Sequence, residues 1–393
     1  LTNNSELEII EEGTTTLWTI PQPGETRKQA SGPGVAKVPI FFNRAMEFSR
    51  DLSILVLDNL VKECINSNKK RMRILDGLAG TGARGVRFAN ELKNLDKLEV
   101  EILVNDLNPL AFGLIKKNIE LNNLSNVEPT NYDLNSLLVR NRFDYIDIDP
   151  FGSPVKFLDL GTRMVRDQGI LAVTATDTAT LFGTYPKTCL RRYDAFSCRA
   201  PFSHEQGTRI LIGAVVRTAA KHNVGLFPIL SHSNDYYYRI YLRGYKGRKA
   251  ADDAMGNLGY FISQDKSNNF RVLSRKQFTN NNKFNLAGPL WIGSLYDIDF
   301  LQSLDLDHYK LGTGKQMSKY IALWHEESGS PPGFYNANKL ASELKISTPQ
   351  LSTIISSLQQ QGFLATRTHF SPNAFKSNAP YNIITTLLNT LSK

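Results

Sequence analysis

The sequence predicts a largely parallel α/β sheet covered by helices on both faces and followed by a second, smaller domain, on three observations. Short β-rich runs alternate with helical patterns over the first half of the chain. A glycine loop, G-x-G-x-x-G, separates the first of those runs from a helical pattern. Beyond about residue 228 the alternation stops. With 393 residues, 41% of them hydrophobic, the chain is longer than one average domain and able to bury a sizeable core.

The first forty residues are polar and broken by "PQPGETRKQASGPG", which predicts an N-terminal flexible loop segment over 1–40. A domain over 41–228 follows. "DLSILVLDNLVKECI" has apolar residues at helical spacing, and "MRIL", "VEILVND", "FDYIDID" and "GILAVTATD" are strand-like. Helical segments such as "NPLAFGLIKKNIELNN" and "PVKFLDLGTRMVRD" lie between them. Asn108 suits an N-cap and Pro109 the first helical position. Ligands in such sheets sit at the carboxyl ends of the strands, where the glycine loop, Asp106 and Asp149 all fall.

Over 229–393 a different pattern holds. "YYYRIYLRGYKGRK" (236–249) carries five basic residues and no acidic one. As a strand it would put Tyr237, Arg239, Tyr241 and Arg243 on one face, either to stack bases and meet phosphates or as a merely solvated face. The stretch 336–370 orders helix, turn, helix and strand like a winged helix, and because its helices are not notably basic the pattern favours docking over groove reading.

Charge narrows the partners. Forty-six Lys and Arg against 37 Asp and Glu give a formal +9, and a pI near 9.3 points to an anionic partner such as nucleic acid. Cys64, Cys189 and Cys198 form no C-x-x-C pair, which supports neither a disulfide framework nor a four-thiolate zinc site and fits a reducing cytoplasm. No leader-like or bilayer-length apolar stretch is evident, so no membrane partner is expected.

The glycine loop (Gly80, Gly82, Gly85) and Asp106 at the tip of the second strand suit any adenosyl cofactor, because the carboxylate can accept both ribose hydroxyls. A nicotinamide cofactor and S-adenosylmethionine stay equal at this point. "DYIDIDPFGSP" separates them: it places a carboxylate (Asp149), a rigid turn (Pro150) and an aromatic face (Phe151) at the sheet edge. Enzymes that methylate an exocyclic amine need that set, since the amine's lone pair is delocalised into a ring that must be held flat.

Together, "ILDGLAGTGARGVRFA", "VNDLNP", "DIDPFGSPVKFLD", "GILAVTATD", "HEQGTRILIGAVVR", "GPLWIGSL" and "ATRTHFSPNAFKSNAPY" resemble the tRNA guanine-26 N2-dimethyltransferase family, most of all its archaeal, cysteine-poor members. The resemblance implies a class I, Rossmann-like S-adenosylmethionine-dependent methyltransferase domain and a C-terminal α+β domain that helps engage tRNA. It implies cofactor contacts from Arg50, Arg84, Asp106 and Asp133 beside Gly80 and Gly82, Asp149 as the catalytic acid/base, and Phe41 and Phe151 as faces of a guanine pocket. The family's "FYNPRM" stands here as "FFNRAM", which puts the role of Arg44 in question. No metal is expected, because the zinc-type cysteines of some relatives are absent, and no obligate protein partner is evident.

The implied reaction is in-line attack by guanine N2 on the cofactor methyl, with the base flipped out of its stack. Methyl transfer from a sulfonium needs no histidine, so His204 is left without a role and His369 is expected to contact RNA or cap structure. Two rival readings are an amine methyltransferase acting on another base or RNA, and a non-enzymatic winged-helix regulator. The intact glycines, Asp106 and Asp149 count against the second.

Overall fold

The computed structural model describes residues 7–21, 40, 42–234, 236–263, 268–278 and 285–392. The chain divides into two compact units that interleave in sequence rather than meeting at one point near residue 228. The first is Leu1–Thr176, Tyr241–Lys246 and Gln302–Ser318, and the second Asp177–Ile240, Gly247–Leu301 and Lys319–Lys393.

The first unit begins with an antiparallel hairpin, β1 (Glu8–Glu12) and β2 (Thr15–Thr19). This differs from the loop expected over 1–40: within the described part, Asn118 and Asn122 hold the backbone of Trp18 and Thr16 by side-chain hydrogen bonds. Long-range amide contacts of this kind leave no local sequence pattern. Next come α1 (Glu47–Asn66), β3 (Arg71–Asp76), α2 (Ala83–Glu91), β4 (Glu99–Asn105) and α3 (Pro109–Leu121). Then follow β5 (Val127–Thr130), α4 (Leu134–Leu138), β6 (Phe143–Ile148), α5 (Val155–Met164) and β7 (Val165–Ala175). Strands run parallel in the order β5-β4-β3-β6-β7, the alternating strand–helix pattern having required it. Asn108 caps α3 with its side chain on the Leu110 N–H, and Pro109 opens the helix as expected.

Helix α1 is buried almost all round, including Ser49, Arg50, Asp51, Ser53 and Asp58. Buried charge needs partners. Asp51 pairs with Arg87 at 2.7 Å and accepts from the Thr313 hydroxyl, while Asp58 accepts from Tyr309. β5 carries Pro129, which cannot donate to a ladder, and it lies at the edge of the sheet where that costs least.

In the second unit α6 (Thr178–Phe182), α7 (Pro186–Tyr193) and α8 (Ser203–Ala220) lead into β8 (Val224–Asn234), which is paired with β9 (Tyr237–Lys246), a strand whose residues from Tyr241 on count with the first unit. After α9 (Arg248–Gly256), the strands β10 (Leu258–Ser263), β11 (Phe270–Ser274) and β12 (Asn285–Trp291) form an antiparallel sheet. The chain continues through α10 (Ile298–Gln302) and α11 (Gly314–Glu327). The expected winged-helix order is then present as β13 (Tyr335–Asn336), α12 (Ala337–Leu344), α13 (Leu351–Gln360), β14 (Ala365–Arg367) and β15 (Ala374–Ser377), closed by α14 (Tyr381–Leu391). Its core holds Leu340, Ile354, Leu358, Phe375 and Ile384. Among the described residues no helix is long and apolar enough to cross a membrane.

Candidate active site

The site's glycine loop, Asp106 and Asp149 lie at the carboxyl ends of β3, β4 and β6. Past β3 the chain turns through Gly80 (φ +56°) and Gly82 (φ +79°), the left-handed region where a side chain is strained. Gly85 has another reason: a Cβ there would stand 2.4 Å from a Val104 methyl, so only glycine lets α2 lie this close to β4. Asp106, just past β4, holds the loop from the other side. Its two carboxylate oxygens accept the Gly80 and Asn108 N–H groups, each at 2.8 Å. Burial raises its carboxyl above the ordinary aspartate range, and those two N–H groups oppose the rise.

Asp149 follows β6 and remains 21% exposed. Arg84, on the first turn of α2 and buried, donates from Nη2 to Asp149 Oδ2 at 2.6 Å. The same guanidinium stands 3.7 Å from Asp147 Oδ2, and its Nη1 reaches the Ser49 carbonyl at 3.2 Å. Asp147 is fully buried and accepts from Tyr145 Oη at 2.9 Å. At the end of β3, Asp76 accepts the Gly85 N–H at 2.9 Å. Burial first, and the Asp147 carboxylate second, push Asp76 up to about 7, against the pull of Arg84 and of that N–H. Three carboxylates thus share one guanidinium, and only Asp149 opens to solvent.

Phe151 sits two residues past Asp149 with 66% of its surface exposed. Its loop is clamped by Thr176, whose hydroxyl accepts the Gly152 N–H at 2.6 Å and whose N–H donates to the Gly152 carbonyl at 2.9 Å. Leu107 and Tyr132 are exposed beyond the ends of β4 and β5. Sequence reasoning did not single them out, although their places directly after strand ends were signal enough.

Of the other expected site residues, Arg50 and Asp133 make contacts of their own. Arg50 is buried, bound bidentately by Glu12 of β1 and by the Asn43 carbonyl. Its guanidinium also lies 4.7 Å from the Phe42 ring centre. Glu12 is held below the usual range: burial would raise it, and Arg50 with Arg87 outweighs that. Asp133 caps α4 through the Ser136 N–H at 3.1 Å and is exposed. Phe41 lies outside the described residues. Arg44 forms an exposed pair with Glu8 at 3.0 Å.

Two expectations outside the site need correction. Tyr237, Arg239 and Tyr241 of β9 are buried, so these three offer RNA no face. Arg243 on the same face pairs with Glu63. The side chain of His369 is fully buried, bonded to Glu327 and to Tyr296 Oη, which removes it from any RNA surface. His204 packs edge-on against Phe182, with ring centres 5.0 Å apart.

A Rossmann-like sheet, a glycine loop braced by an acidic residue at the second strand's tip, and an Asp-Pro-Phe turn at a neighbouring strand end define a class I methyltransferase. Comparison with known proteins makes that definition narrower. The profile of N2,N2-dimethylguanosine tRNA methyltransferase matches residues 23–389. A tRNA (guanine(26)-N(2))-dimethyltransferase from Methanobrevibacter smithii is 35% identical, over 98% of this chain and 98% of its own length. One from Thermococcus kodakarensis is 39% identical over 88% and 92%. The structure of Trm1 from Pyrococcus horikoshii in complex with S-adenosyl-L-methionine is similar with a TM-score of 0.84, at 33% identity, covering 98% of this chain and 100% of that one. The chain belongs to the N2,N2-dimethylguanosine tRNA methyltransferase family.

Proposed function

We infer that this protein transfers methyl groups from S-adenosylmethionine to the exocyclic N2 of guanine 26 in tRNA, giving N2-methyl- and N2,N2-dimethylguanosine, and that it works in the cytoplasm where that substrate resides. The observation that carries the reading is Asp149, solvent-open beside a glycine loop and Asp106, in a chain whose relatives are named for this reaction over nearly its full length.

The residues at the sheet edge fit the cofactor. Each Asp106 oxygen takes one backbone N–H and keeps acceptor capacity for the two vicinal hydroxyls of a ribose. Exposed Leu107 and Tyr132 offer apolar walls for an adenine. Gly80 and Gly82 let backbone curl beside the ligand, and Asp133 lies at the same edge. When bound, S-adenosylmethionine supplies a methyl group on a good leaving group.

What remains for the chain is to hold, align and deprotonate. Asp149 accepts a hydrogen bond from the guanine amine, steers its lone pair and takes its proton. Arg84 fixes the rotamer of Asp149 through the 2.6 Å contact, and Phe151 offers a flat face in place of the stacking that the flipped base gives up. Proximity and orientation supply most of the acceleration.

The test is nucleoside analysis of tRNA treated with the protein and S-adenosylmethionine. The expected products are N2-methyl- and N2,N2-dimethylguanosine at position 26. Methylation of adenine, of DNA, or of no nucleic acid would overturn the reading.

A further inference from the structure

Burial of Arg239 and pairing of Arg243 with Glu63 leave open where the second unit meets its polyanionic substrate, since within the basic run of 236–249 the exposed cations Arg248 and Lys249 lie past the strand and without its aromatic residues. The segment from α6 to α8 carries the opposite arrangement. Helix α7 buries Cys189 and Tyr193, one turn apart, and turns Lys187, Leu190 and Arg191 outward. Tyr185, just before the helix, is 58% exposed, and Phe196, just after it, is 47% exposed. Arg199 is exposed as well. Over 185–199 four basic residues stand against the single acid Asp194.

This surface is held rigidly from beneath. Asp177 accepts from Tyr193 Oη at 2.5 Å and from Arg192 Nη1 at 3.0 Å. At the helix's carboxyl end Arg217 donates to the carbonyls of Tyr193 and Asp194. Phe196 exchanges two backbone hydrogen bonds with Gly288, at 2.7 and 2.9 Å, so its ring stands outward on a pinned backbone. Among the described residues Lys187 and Arg191 have no acidic partner, unlike Arg192.

Cations without counter-charges, interleaved with rings on fixed backbone, are what a nucleic acid strand requires: phosphates meet the charges and bases stack on the rings. A protein partner would be expected to match the exposed Leu190 with more apolar area than this helix offers. We propose that the outer face of α7 with Tyr185, Phe196 and Arg199 is a tRNA-docking surface of the second unit, taking backbone phosphates on Lys187 and Arg191. The proposal rests on the tRNA-methyltransferase reading above and says which surface holds that substrate.

The experiment uses the full chain and unmodified tRNA, with affinity measured by fluorescence anisotropy across a salt series. Lys187→Ala/Arg191→Ala is expected to bind at least about tenfold more weakly in 0.1 M salt and to lower the slope of log K against log salt by about 2, one phosphate per side chain. Tyr185→Ala/Phe196→Ala is expected to lose at least about fivefold in affinity with the slope unchanged. Both variants should keep the parent's circular dichroism melt and its S-adenosylmethionine affinity, and at saturating tRNA the parent's kcat. An unchanged tRNA affinity and slope in both variants, with the parent binding and methylating tRNA normally, overturns the docking surface alone. A parent that neither binds nor methylates tRNA overturns the functional reading itself.

Discussion

Each unit buries a cluster of carboxylates and cations, and the two clusters are built to opposite effect. In the first unit Asp76, Asp147 and Asp149 surround the single guanidinium of Arg84. In the second, one oxygen of Glu205 gathers Arg209 at 2.8 Å, Lys376 at 2.7 Å and the Gly333 N–H at 2.9 Å. The acid-rich cluster lifts Asp76 to about 7 by burial and by its Asp147 neighbour. In the cation-rich one burial would raise Glu205, yet Lys376 and Arg209 hold it down at about 2. Buried charge alone therefore does not mark a reactive site; an excess of carboxylate with one member open to solvent does.

The comparison breaks most sharply at Asp149. Asn keeps the size and turn chemistry of Asp149 but cannot take a proton, so Asp149→Asn is expected to lose at least about 100-fold in methyl transfer. Single-turnover rates with prebound tRNA isolate that step. A rate within a few-fold of the parent returns Asp149 to a strand-end turn. In the second unit the loss falls on stability instead. Lys376→Met leaves the Glu205 carboxylate less compensated in a buried place, and urea denaturation at pH 7 is expected to show about 3 kcal/mol lost, in the range for a broken buried pair. Because Glu205 titrates at about 2 folded and near 4.5 unfolded, its contribution is complete above pH 4.5 and is lost as pH falls toward 2. The gap between variant and parent should narrow over that window. A constant gap would mean that Lys376 acts by packing.

Sequence reading reached the parts of the site that local pattern encodes: Gly80, Gly82 and Gly85 at a strand–helix turn, Asp106 at a strand tip, and Asp149 before a proline. It did not reach Asp76 or Asp147, although strand parity puts Asp147 on the same face as Asp149, two residues on. Nor did it find β5, whose "VEPT" is short and carries a proline. The Arg84–Asp149 pair joins a helix start to a distant strand end, and nothing in either segment announces the other. The opposite error occurred in β9, where alternating Tyr and Arg reads as a half-exposed strand but both faces are buried. Composition reports charge and cannot report cover.

The finest point of the comparison is whether the acid-rich cluster really holds a proton. Asp76 is raised from 3.8 to about 7, so between those values the folded protein binds a proton that the unfolded chain has released. With more protons on the native state, stability must fall as pH rises from about 4 to about 7 and then level off. Asp76→Asn imitates the protonated form and keeps an acceptor for the Gly85 N–H. The variant should match the parent near pH 5 and exceed it by roughly 2 to 3 kcal/mol at pH 8, at about 1.4 kcal/mol per pH unit between pH 5 and the folded value of about 7. Thermal melts of both proteins from pH 5 to pH 8 measure the difference. A gain of the same size at every pH would show that Asp76 carries no proton there, and would add its carboxylate to Asp147 and Arg84 in the charge behind Asp149.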